Sequence, residues 1–168
     1  QAMMLAEQVR VRLQRGNVTG AEQLQRQLEQ MAASFRMDAE HPCQRAIALS
    51  ASLSHCRLLL ARGQAPQACI LLAEMVSDQE NRGDRLTAAR LRTLWSLALW
   101  NSGKTAAART TFQPVVQLAE QQHLTGLFLD AGDTLQPLLA GMNESSSAWT
   151  EKRGVQGPWA DKRGPVDG

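Results

Sequence analysis

Apolar positions recur every three or four residues from the start of the chain, the spacing of one face of a helix, and the pattern breaks at a few marked points. The breaks read QRGNVTGAEQL at 14–24, ARGQAPQACIL at 61–71 and NSGKTAAARTT at 101–111. Each carries a glycine (Gly16, Gly63, Gly103) and, five residues later, an alanine (Ala21, Ala68, Ala108). The pattern predicts helices over 2–15 and 19–36, 44–62 and 65–81, and 84–102 and 105–122. Connections this short force neighbouring helices to run antiparallel. Glycine supplies the left-handed residue that stops the first helix of each pair, and alanine lets the second helix approach it closely. The intervals between the glycines, 47 and 40 residues, suit an array of hairpins joined by loops of differing length.

Composition supports an all-α fold. Ala, Leu and Gln are abundant, aromatic residues make up 4%, and Tyr is absent. A net charge of +2 with scattered arginines leaves no basic block suited to a phosphate backbone. No apolar run approaches the roughly 20 residues that span a bilayer, and no signal pattern opens the chain, so a cytoplasmic setting is expected. Gln in place of Met at position 1 suggests a piece of a longer protein. His41, Cys43, His55 and Cys56 invite a metal site, but twelve or thirteen helical residues separate the pairs by roughly 18–20 Å. No metal is expected, and the cysteines read as small buried thiols.

The hairpins resemble the tetratricopeptide repeat, which has glycine in its internal turn, alanine five later, and bulky residues nine and twelve later. Phe112 and Val115 fill those last two positions in the third unit, Leu72 and Met75 in the second, and Gln25 and Leu28 in the first. The repeat's small residue seven before the glycine maps to Val9, Cys56 and Ser96. The stretch QQHLTGLFLDAGDTLQPLLAGM at 121–142 is similar to the end of the helical-repeat domain of the MalT-like, large ATP-dependent LuxR-type regulators. Its Phe128-Leu129-Asp130 and Gly132-Asp133 match that family's short segment and turn before a last apolar helix. LRTLWSLALWNSGKTAAARTTFQPVVQLAEQQ, just before it, also looks like that family's penultimate hairpin. The resemblance implies tetratricopeptide-like antiparallel hairpins stacked in a right-handed superhelix over 1–142. It implies further that ATP is bound by a separate N-terminal domain and DNA by a C-terminal helix-turn-helix, neither within this sequence. Residues 143–168 are rich in Gly, Pro and Ser and read as a flexible linker or tail.

Chemistry is sparse. Gly103-Lys104-Thr105 ends like a phosphate-binding loop, but Ala98 stands where that loop needs its first glycine, and a helix rather than a strand precedes it. The tripeptide therefore reads as a hairpin turn. No nucleophile elbow, His-Glu-x-x-His or dinucleotide loop occurs, and the three histidines are scattered, so no enzyme activity and no cofactor are expected of this chain. A stacked array instead offers a curved surface lined by the first helix of each pair. Carried over from tetratricopeptide arrays, the groove positions are Ala6, Arg10 and Leu13, then Leu53, Arg57 and Leu60, then Thr93, Leu97 and Trp100. Arg10 and Arg57 fall at equivalent places, where their guanidinium forks suit an acidic ligand. The resemblance implies an effector-sensing or protein-interaction segment of a bacterial transcriptional regulator. Its expected partner is a small molecule, protein or peptide on the concave face, with self-association left open. The alternative is a generic scaffold that binds a peptide or protein.

Overall fold

Among the described residues a single kind of turn is used four times. A computed structural model describes residues 1–34 and 41–122, together with Leu135, Leu138 and Ala140. The described residues form α1 (Ala2–Gln14), α2 (Val18–Ser34), α3 (Pro42–Ala61), α4 (Ala65–Asn81), α5 (Arg85–Asn101) and α6 (Thr105–Gln122), with no strand among them. The Phe-Leu-Asp segment at 128–130, Gly132-Asp133 and the tail at 143–168 lie outside the described residues.

Gly16, Gly63 and Gly103 take φ values of +71, +73 and +76°, as the breaks in the pattern require. Gly83, at +75°, joins them between α4 and α5. At Gly63 the glycine N–H donates to the Leu60 carbonyl at 3.0 Å, and the next N–H, of Gln64, donates to the Leu59 carbonyl at 2.8 Å. The other three turns repeat both bonds, a Schellman arrangement that satisfies carbonyls the helix end would leave open. The residue after each glycine then opens the next helix. The carbonyls of Asn17, Gln64, Asp84 and Lys104 accept from the N–H groups of Ala21, Ala68, Ala88 and Ala108. Those four alanines are 0–3% exposed, so each following helix approaches to the limit a methyl group sets. Gly63, Gly83 and Gly103 thus recur every twenty residues, and the junction between the second and third hairpins is the same as the turn within each.

The main core runs through α3, α4, α5 and α6 and includes Leu72, Leu91, Phe112 and Val115, with Leu135 and Leu138 joining it. Two smaller clusters tie the first hairpin to α3, one of Ala2, Leu28 and Ala51 and one of Val9, Ala21 and Leu58. The repeat positions explain these groupings. Val9, Cys56 and Ser96 are each 0% exposed, although valine is larger than the usual small residue there. Leu72 and Phe112 are also fully buried, and Gln25 is 2% exposed at the equivalent place. In the second unit Val76 is the buried residue where Met75 was expected, and Met75 is only partly buried. Packing is uneven along the array, because α4 meets α5 more extensively than it meets its own hairpin partner α3.

Candidate interaction groove

On the face expected to be concave, Arg10 and Arg57 act on a carboxylate of the chain itself. Arg10 Nε donates to both oxygens of Glu7 at 3.0 and 3.1 Å, and its Nη2 makes a third contact, to Oε1. That hydrogen bonding, reinforced by the charges of Arg10 and Arg57, holds the Glu7 carboxyl below its ordinary range. An acidic group that suits these arginines is thus supplied by α1 itself. Leu13 is partly buried against Val9, Ala21 and Leu58, while Leu53, Leu60 and Trp100 are partly buried against the main core. Ala6 is partly buried against Ala2, Leu28 and Ala51.

Thr93 and Leu97 correct the expectation of a ligand-facing surface. They are 2% and 6% exposed, and the Thr93 hydroxyl donates to the Ala89 carbonyl at 3.0 Å. The reason lies in the position of α5, which packs on both α4 and α6 and is buried around most of its circumference.

A concavity lies on the other side of α3. A groove of about 730 Å³ has Ala48, Ala51, Ser52 and His55 of α3 along its floor, with Gln44 and Arg45 at one end. Glu29, Ala32 and Ala33 line it from α2, and Leu71, Glu74 and Met75 from α4. At about 100° per residue, Ala48, Ser52 and His55 lie on the side of α3 opposite Leu53, Arg57 and Leu60. His55 Nδ1 stands 3.5 Å from Glu29 Oε1, linking α3 to α2. Gln25, beneath, donates its amide to the Ala51 carbonyl at 3.0 Å and to Glu29 at 2.9 Å. Its Oε1 and the buried Oε1 of Gln44 have no hydrogen-bond partner among the described residues. The sequence trace of this groove is the run of small residues Ala32-Ala33, Ala48, Ala51-Ser52, which a search for charged or catalytic groups passes over. A second concavity of about 590 Å³ runs along α1 by Glu7, Val11 and Arg15.

The turn at Gly103-Lys104-Thr105 has no free phosphate cradle. The Gly103 and Lys104 N–H groups both donate, at 2.9 Å, to the carbonyls of Trp100 and Leu99. His41 caps α3, its Nδ1 accepting from the Cys43 N–H at 3.3 Å. Cys56 is fully buried, and burial pushes its thiol up to about 11, far from a reactive thiolate. Among the described residues no three His, Cys, Asp or Glu side chains gather as metal ligands, and no helix is long and apolar enough to cross a membrane.

Serial antiparallel hairpins with one recurring turn, a buried alanine after each, and a groove floored by α3 define a helical-repeat array of the tetratricopeptide type. The chain belongs to the family of the MalT-like TPR region, whose sequence model matches residues 1–145. Comparison with curated proteins and with solved structures gives no match.

Proposed function

We propose that this chain is the effector-sensing or protein-interaction segment of a MalT-like, LuxR-type transcriptional regulator. The family match over residues 1–145 carries the reading. On this reading the segment catalyses no reaction and holds no cofactor. ATP and DNA are handled by other modules of a longer parent, and binding to the repeat array shifts that parent between resting and assembled states in the bacterial cytoplasm. The two arginines that share Glu7, and the groove on the other side of α3, are surfaces on which such binding would act.

A thermal-shift screen of bacterial metabolites against the chain tests the proposal. A ligand of the native state at a hundredfold excess over its dissociation constant stabilises by about 2.7 kcal/mol, a readily measured rise in midpoint. Turnover of a nucleotide by the purified chain would count against the reading, as would specific DNA binding by the chain alone that survives moderate salt. The exposed Ile70 and Leu71, at 63% and 36%, favour a second reading, a scaffold whose partner is a protein. Affinity for a protein partner with no response to any small molecule would favour it.

A further inference from the structure

We infer that the groove between α2 and α4, floored by α3, seats an amphipathic helix of a partner protein that carries Lys or Arg toward Glu29 and Glu74. The inference rests on the binding role proposed above and names the chemistry of the partner.

Shape is the first argument. Both α2 and α4 pack on α3, and the trough they leave is lined by Ala32, Ala33, Ala48, Ala51 and Ser52. Side chains this small let another helix come to a packing separation of roughly 8–10 Å. Along the α4 side the apolar surface is unfilled. Leu71 lines the groove at 36% exposure, and Met75 beside it is only partly buried. An apolar ridge at helical spacing would cover these residues, as in other helix-in-groove contacts.

Polarity fixes the sign of the partner. Among the described residues that line the trough, two carboxylates stand against one guanidinium. Glu29 and Glu74 contribute the carboxylates, from α2 and α4. On the donor side, His55 is engaged with Glu29, and Arg45 lies at the end of the groove beside Gln44. A ligand that brings ammonium or guanidinium donors complements this set, and an acidic one meets carboxylates from two helices.

The test uses the full chain and three synthetic helical peptides of about five turns, with one Leu/Ala ridge and flanks of Lys, Gln or Glu. In fluorescence anisotropy the Lys peptide should bind about tenfold more tightly than the Glu peptide, a ratio within reach of two exposed charge pairs. Glu29→Gln with Glu74→Gln should erase that preference. Ala48 and Ser52 are exposed, so Ala48→Trp, which fills the trough, and Ser52→Arg, which places a cation in it, should each abolish binding with the thermal midpoint kept. Lys104→Ala, in a distant turn, should bind as the parent does. Equal affinity for the Lys and Glu peptides would overturn the inference, as would binding indifferent to both groove substitutions. So would a dimer in sedimentation that Ala48→Trp dissociates, because the occupant would then be a second copy. A small-molecule thermal shift without peptide binding overturns this inference alone and leaves the proposed function standing.

Discussion

At position 25 the chain places an amide where the later hairpins have Leu72 and Phe112, all three buried. The amide nitrogen is well used, with bonds to Ala51 and Glu29, but the oxygen has no described partner, and a buried orphan acceptor costs about 1–3 kcal/mol. Gln25→Leu is therefore expected to stabilise the chain by about 1 kcal/mol, seen as a higher urea midpoint at unchanged slope. A drop in midpoint would mean that the two amide bonds outweigh the orphan. The turn glycines make the opposite case. An added Cβ at Gly63 would meet nothing within 4 Å, so any loss on Gly63→Ala isolates backbone strain at φ +73°. That strain should amount to about 1–2 kcal/mol, with Gly63→Asn milder. The cysteines should also separate. With a thiol reagent at pH 8, exposed Cys43 should react in the native protein, and Cys56 only after denaturant is added.

Among the elements, α5 starts at a carboxylate cap. Asp84 accepts from the Thr87 N–H at 3.0 Å, and hydrogen bonds from Thr87, side chain first and backbone second, hold its carboxyl below the ordinary value. Because the folded value is the lower one, this cap contributes fully above the unfolded value of about 3.9 and fades as pH falls through the depressed one. Asp84→Ala should cost about 1 kcal/mol at pH 7, and that difference from the parent should close as unfolding is followed into acid. A constant difference down to pH 2 would exclude the charge as its source. The helix boundaries were readable because glycine and alanine mark each turn locally, and every described end falls within two residues of expectation. Gly83 escaped because the junction between hairpins was assumed to be unlike the turn within one, so the interval of 40 was not seen as two of twenty. The groove escaped for a different reason. Periodicity tells which residues of α3 share a side, but which side stays open depends on where α2 and α4 come to rest. Likewise nothing local to Thr93 and Leu97 announces that α5 would be enclosed.

For the molecule as a whole, the distribution of core is uneven. One large cluster spans α3 to α6, while α1 and α2 are held to α3 by two small ones. In an array stabilised by nearest-neighbour contacts, such asymmetry becomes a gradient of local stability. Native-state hydrogen exchange should show α1 and α2 opening before α4, α5 and α6, and uniform protection across the six helices would contradict this. The repeated turn has a last consequence, for the ways such a chain can grow or shrink. Between Gly63 and Gly103 the backbone has no punctuation separating one hairpin from the next, so α4 is joined to α3 and to α5 by interchangeable hinges. Its stronger packing on α5 already blurs which two helices make a pair. The indivisible length is one helix and its turn, twenty residues, yet loss or duplication of a single such length would reverse the direction of every helix after it. Only even numbers preserve the polarity of the rest, which makes the hairpin a rule of inheritance for this chain even where it is not a unit of packing.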